Sequence, residues 1–204
     1  MKILAEEKRL FKQGLNFVAG VDEAGRGPLA GPVVAACVAI NKDFEFKQEY
    51  EVIKDSKKIS EKKRELIYDL IISEFIHVGI GVASSEEIDK INILQATFLA
   101  MQRAVQGIQS NLDFVMIDGK FIVPDLEIEQ KSIVKGDENI FLIGAASIIA
   151  KVTRDRIMQK MHLKYPEYEF IKHKGYGTKK HLEKIKKFGA CPIHRKSFAP
   201  LKHL

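Results

Sequence analysis

Two cysteines, Cys37 and Cys191, are all that the 204 residues contain, and they form neither a CxxC unit nor a disulfide framework. A disulfide-stapled secreted module is excluded, and a reducing cytoplasm fits best. Long apolar runs are missing as well. The longest, Pro28–Ile40, is too short to span a bilayer and carries Pro28 and Pro32. The opening residues Met1–Arg9 are charged and lack the apolar centre of a secretory leader. The expectation is a soluble cytoplasmic protein with no membrane partner. No HExxH, GxSxG or GK[ST] spacing occurs, which removes the zincin, nucleophile-elbow and P-loop readings. Nothing suggests a bound organic cofactor. Internal repeats and Pro/Ser-rich linkers are also absent, so one domain, or one with a small appendage, is expected.

What is present is an ordinary globular balance, 46% apolar and 29% charged, enough to build a core. Lys and Arg number 33 against 27 Asp and Glu, for a net charge of +6. The basic excess gathers between Lys151 and Leu204, at Lys179-Lys180, Lys184, Lys186-Lys187 and Arg195-Lys196. A basic end suits a polyanionic partner, and it equally suits a solvated basic surface.

Apolar, β-branched runs mark strands at Phe17–Val21, Val33–Ile40, Phe75–Ala83, Leu112–Ile117 and Lys131–Val134. Helical patterns open at Ser60 and run through Ile72, and again from about Asn92 to Ile108. Ser84 or Ser85 can cap a helix ahead of Glu86-Glu87. A long helix is expected from Asp137 to His162, apolar over Phe141–Ala150. Residues 1–14 read as a short helix or arm, Glu45–Ser60 as a loop, and Pro166–Pro192 as an irregular C-terminal part. Together they predict an α/β fold with a five-stranded mixed sheet flanked by helices.

Phosphodiester hydrolysis with divalent metals needs several carboxylates converging from separate elements, since magnesium and manganese prefer oxygen ligands. Rigid strand ends are the natural place for them. Asp22 and Glu23 end the first strand, Asp118 ends the fourth, and Asp137 follows the fifth. An acid after a strand is also a common turn residue or helix cap, and Asp137 in particular can cap Glu138–His162. Asp155 is a rival fourth acid, although an ion pair with Lys151 explains it equally well.

Two glycine-rich segments add to the acids. Gly25-Arg26-Gly27 beside Asp22-Glu23 can offer N–H donors and a guanidinium to a phosphate or ribose, or can be a plain turn. His173-Lys174-Gly175-Tyr176-Gly177-Thr178 places an aromatic between glycines, a stacking platform for a nucleotide or a tight turn with an exposed tyrosine. His173 and His181 read as surface or phosphate contacts rather than metal ligands.

In order along the chain, Ala19–Pro28, Ala30–Ala36, Asp55-Ser56-Lys57-Lys58, Ile117-Asp118-Gly119, Val134–Asp137, Gly144–Val152 with Arg154-Asp155, His173–Thr178 and Pro192–Phe198 resemble the motifs of ribonuclease HII. The likeness covers roughly residues 17–200. It implies a ribonuclease H-like fold with a catalytic core over 1–165 and a small helical part, 166–204, completing the substrate-binding face. It also implies Mg²⁺ or Mn²⁺ held by Asp22, Glu23, Asp118 and Asp137, and favours Asp137 over Asp155. Implied substrate-binding residues are Gly25, Arg26, Gly27, Lys57, Ser147, Lys151 and Tyr176. The implied partners are an RNA–DNA hybrid or ribonucleotide-containing duplex DNA, cut 5′ to the ribonucleotide by a monomer. Rival readings are an HIII-like hybrid nuclease and a non-catalytic nucleic-acid-binding module. The segment around Gly25-Arg26-Gly27, and the lack of an extra N-terminal domain, argue against the HIII type.

Overall fold

The structure is a computed structural model and describes residues 4–55, 59–75, 77–108 and 111–203. Five strands form one sheet in the order β3-β2-β1-β4-β5: β1 (Phe17–Ala24), β2 (Val33–Asn41), β3 (His77–Ala83), β4 (Phe114–Asp118) and β5 (Glu129–Ile133). β1 pairs antiparallel with β2 and parallel with β4, β2 pairs antiparallel with β3, and β4 parallel with β5. The expected mixed sheet is therefore present.

Both faces of the central strands are apolar, as a sheet covered on two sides requires. Val18 of β1, Ala36 and Val38 of β2 and Met116 of β4 pack beneath α5 (Phe141–Lys164), whose first half is buried on most sides. The alternate residues Ala19, Val21, Ala35, Cys37, Val115 and Ile117 pack against α3 (Ser85–Gln106). Gly20 lies on the α5 side. A Cβ there would sit 2.4 Å from the backbone of Leu142 and Ile143, so its absence lets the start of α5 cross directly over β1. That close crossing sets the register of α5 over the strand end.

Local signals explain the helices. Ser84 caps α3 with a reciprocal capping box: its hydroxyl accepts from Glu87 N at 3.2 Å, and Glu87 Oε2 accepts from Ser84 N at 2.8 Å. Asn92 then breaks the helix with φ of 67° and caps the second stretch through Leu94 N and Gln95 N. This is why the sequence shows a cap at Ser84 and a fresh helical pattern from Asn92. α1 (Ala5–Lys12) and α2 (Glu61–Glu74) form as expected, α2 capped by Ser60.

Three expectations need correction. Glu45–Ser60 is not merely a loop. Residues Gln48–Asp55 form a 3-10 helix because Tyr50 and Ile53 bury themselves in the α5 side of the core, with the Tyr50 ring stacked near Phe44 and edge-on to Phe75. The long helix does not begin at Asp137. A single turn, α4 (Gly136–Asn139), ends at the extended Ile140 before α5 starts, so Asp137 caps no long helix. The C-terminal part is more regular than it reads. It contains a 3-10 turn (Pro166–Tyr168), α6 (Phe170–His173) and the amphipathic α7 (Lys179–Phe188), packed around Tyr168, Phe170, Ile185 and Met158.

Candidate active site

β1 and β4 are neighbouring parallel strands with Val21 in register with Ile117, so the next residues, Asp22 and Asp118, lie side by side at the same end of the sheet. The period of two along each strand puts both on the α5 face, where Val18 and Met116 also point. Glu23 follows directly. Its backbone N–H donates to Asp22 Oδ1 at 2.7 Å, and its carboxylate takes a hydrogen bond from Arg26 Nη1 at 3.3 Å. Burial, and then the neighbouring charges of Glu23 and Asp118, push the Asp22 carboxyl well above the usual carboxylate range, against a hydrogen bond from Ser147 that pulls it down. Burial also raises Glu23, with Arg26 opposing and Asp118 adding to the rise. Asp118 Oδ1 accepts from Gly136 N at 2.6 Å, which draws α4, and with it the buried Asp137, to the same corner.

The acids are electrostatic neighbours rather than a finished cage. Among the described residues, no group of three or more His, Cys, Asp or Glu side chains is yet close enough to hold a metal ion. The donor set nevertheless fits a hard divalent cation. It is all oxygen, buried at Asp22 and Asp137 and half-buried at Glu23 and Asp118, and held in mutual repulsion that a positive ion relieves.

Helix α5 presents Ser147, Lys151 and Asp155 at successive i,i+4 positions. Ser147 reaches Asp22, and Lys151 Nζ pairs with Asp155 Oδ1 at 2.7 Å. Asp155 is thus a partner of Lys151, the pairing that its spacing suggested, although the acid is buried rather than on the helix surface. Beside these acids opens a cleft of ≈ 400 Å³ lined by Glu23, Gly25, Arg64, Ser147, Lys151 and Tyr176.

The glycine-rich loop between β1 and β2 is built from below by two buried arginines. Arg195 donates to Gly31 O at 3.0 Å, Arg26 O at 2.9 Å and Gly25 O at 2.6 Å. Arg154 donates to Pro32 O at 3.0 Å and Ala30 O at 3.1 Å. A trans peptide sets its C=O and the next N–H on opposite sides. With the carbonyls of Gly25 and Arg26 turned inward, the N–H groups of Arg26 and Gly27 turn away from the arginines. Burial, then the charge of Arg154, pushes the Arg195 guanidinium down to about 9. Gly25 adopts φ of 99°, and a Cβ there would lie 2.0 Å from Arg154 Nε.

The second glycine segment docks on the first. Leu29 N donates to Gly175 O at 2.8 Å, and the ring of Tyr176 comes within 3.8 Å of where a Gly27 Cβ would stand. Tyr176 remains 47% exposed, open to a partner. Gly25, Arg26, Gly27, Ser147, Lys151 and Tyr176 therefore converge around the acids. Lys57 lies outside the described residues.

Sequence reasoning missed Arg64, Arg154 and Arg195. Arg154 and Arg195 sit far along the chain from the loop they hold, among other charged residues, and no local signal marks them as buried. It also misplaced His181. Far from being a surface contact, His181 is fully buried against His173 and His194.

Adjacent parallel strands that end in acids, under a helix supplying a serine and a lysine, define a nuclease of the ribonuclease H class. The family profile described as Ribonuclease HII matches residues 19–201. Ribonuclease HII of Caldanaerobacter subterraneus subsp. tengcongensis is 52% identical over 192 residues, covering 94% of this chain and 78% of that protein. The crystal structure of ribonuclease H2 from Pyrococcus horikoshii OT3 superposes with a TM-score of 0.76 at 28% identity, over 92% of this chain and 96% of that one. Bst-RNase HIII, solved in complex with Mn²⁺, shares the fold with a TM-score of 0.71 at 16% identity, over 92% of this chain and 68% of that one. The chain belongs to the ribonuclease HII family, whose members are endoribonucleases. Among the described residues, no helix is long and apolar enough to cross a membrane.

Proposed function

We propose that this enzyme hydrolyses the RNA strand of RNA–DNA hybrids and cuts on the 5′ side of single ribonucleotides embedded in duplex DNA, leaving 3′-hydroxyl and 5′-phosphate ends. The observation that carries the proposal is the side-by-side placement of Asp22 and Asp118 on one face, with Glu23 adding to their repulsion. Mg²⁺ or Mn²⁺ ions, bound by Asp22, Glu23, Asp118 and Asp137, would polarise the scissile phosphate and activate a water in a two-metal mechanism. The Mn²⁺ seen in the HIII relative supports a divalent requirement.

The chain's own groups do the rest. Ser147 orients the Asp22 carboxylate. Asp155 holds Lys151 at the cleft, where its ammonium can meet a phosphate oxygen. The amides turned outward at Arg26 and Gly27 would read a ribose 2′-OH, the group that separates RNA from DNA at one position. Tyr176, exposed beside Gly27, would stack at the RNA–DNA junction. Lys57 joins the substrate contacts on sequence grounds. Residues 166–204 complete the substrate-binding face, since α7 carries Lys179, Lys180, Lys184, Lys186 and Lys187. The proposal includes action as a monomer in the cytoplasm, consistent with two free thiols, in ribonucleotide excision and removal of RNA primers.

The test is a labelled DNA duplex with one ribonucleotide, incubated with Mg²⁺, Mn²⁺ or EDTA. The expected result is a single cut 5′ to the ribonucleotide with either ion and none in EDTA. Cleavage that persists in EDTA, or that ignores the ribonucleotide, would overturn the proposal.

A further inference from the structure

Behind Tyr176 lies a group of three histidines and a cysteine, all buried except the half-buried His173, that the proposed chemistry does not use. His181 Nδ1 is 2.9 Å from Tyr176 O, His181 Nε2 is 3.0 Å from His194 Nε2, and His194 Nδ1 accepts from Cys191 N at 2.9 Å. His173 stacks on His181 with ring centroids 4.3 Å apart, donates to Tyr168 O at 2.8 Å and accepts from Gly175 N at 3.2 Å.

These contacts fix where the protons sit. A carbonyl only accepts, so His181 Nδ1 must carry a hydrogen. In a neutral ring its Nε2 is then an acceptor, and the facing His194 Nε2 must donate. That leaves His194 Nδ1 bare, as the incoming Cys191 N–H requires. One assignment satisfies all of these hydrogen bonds with every ring uncharged; the 3.3 Å approach of His194 Nδ1 to Cys191 O then carries no proton, that carbonyl being met instead by His194 N at 3.0 Å. Burial supports it, holding His181 down to about 4 and lowering His173 and His194 as well. The direction of the chain is therefore single: Cys191 N–H to His194, His194 N–H to His181, His181 N–H to the Tyr176 carbonyl.

The end of that chain matters. Tyr176 O also accepts from Thr178 N at 2.8 Å, and Tyr176 N donates to His173 O at 2.9 Å. Both peptides of Tyr176 are thereby locked, while its ring stands exposed beside Gly27. The same strand of residues that supplies His194 supplies Arg195, which holds the carbonyls of Gly25 and Arg26. Residues 194 and 195 thus brace the tyrosine and the glycine loop together.

We infer that His181 and His194 are positioning residues, whose uncharged proton chain holds the Tyr176 backbone so that its ring meets the Gly25-Arg26-Gly27 loop at the RNA–DNA junction. This rests on the junction-reading role proposed for Tyr176.

Two measurements test it. Long-range ¹H–¹⁵N correlation NMR of the wild-type protein at pH 7 should show His181 protonated on Nδ1 alone and His194 on Nε2 alone. His181 protonated on Nε2, or doubly protonated, would overturn the chain. His194→Phe removes the donor and keeps a ring of similar size. It should lower kcat/KM at a lone ribonucleotide roughly tenfold relative to a long hybrid, the effect of one lost buried hydrogen bond. His194→Gln, whose amide can donate to His181, should recover most of that ratio. Equal losses on both substrates, or no rescue by glutamine, would reduce the histidines to scaffolding and refute the inference. Should the phenylalanine variant fail to fold, the NMR result still decides. Tyr176→Ala separates the two ideas: if it leaves the ratio intact while the NMR shows the expected protons, the reading of Tyr176 is wrong and the chain itself stands.

Discussion

Asp22 is held by two donors, Glu23 N–H and the Ser147 hydroxyl, yet burial and two neighbouring acids disfavour its charged form. Asp22→Asn keeps the acceptor and removes the charge. The metal-free variant should melt about 3 °C higher than wild type, the shift that roughly 1 kcal/mol gives in a domain of this size, while cleavage falls to background. An unchanged or lower Tm, read by calorimetry, would mean that repulsion is not stored there. Asp118→Asn should likewise abolish cleavage with duplex binding retained, and near-normal turnover would refute its role. The raised pKa of Asp22 also fixes a sign. A raised acid stays protonated to higher pH, and a protonated carboxyl is a poor ligand, so Mn²⁺ affinity should weaken as pH falls, beginning above the usual carboxylate range. At this scale much was legible in the sequence, because strand-end acids announce themselves by position. Spacing alone left Asp137 and Asp155 open. The fold ties Gly136, the residue before Asp137, to Asp118, and pairs Asp155 with Lys151. His181 was misjudged because a polar residue between lysines reads as surface, and only the tertiary fold buries it.

The loop between β1 and β2 depends on elements more than 100 residues away. Arg195→Met would leave three inward carbonyls without a donor, a loss of about 3 kcal/mol or more at 1–3 kcal/mol for each buried unsatisfied group. Chemical denaturation should show that loss, together with impaired cleavage. A stability change under 1 kcal/mol would show the arginine to be dispensable. Gly25→Ala meets both a left-handed φ and the Arg154 guanidinium, so it should lower both Tm and activity. None of this bracing was visible in the sequence, which shows Arg154 and Arg195 only as two basic residues in a basic half. The strands and the two-part α3 were legible because their periodicity and caps are local. The 3-10 helix at Gln48–Asp55 was not, since it forms by burying Tyr50 and Ile53 rather than by any local pattern.

Over the whole molecule, charge is divided by place: acids at the ends of β1 and β4, and lysines along α7. Duplex binding should therefore weaken linearly with the logarithm of salt concentration, because each phosphate contact releases a counterion. An affinity indifferent to salt would contradict a basic binding face. The fold class and the sheet were readable from strand order; the docking of the Gly175 and Arg195 segments onto the glycine loop was not, because it is made by contacts between distant segments. The central claim remains the acid corner. Isothermal titration of Mn²⁺ into metal-free wild type, Asp22→Asn and Asp118→Asn tests it most directly. Saturable binding by wild type, lost or strongly weakened in both variants, is the expected result. Equal binding by all three proteins would contradict the account.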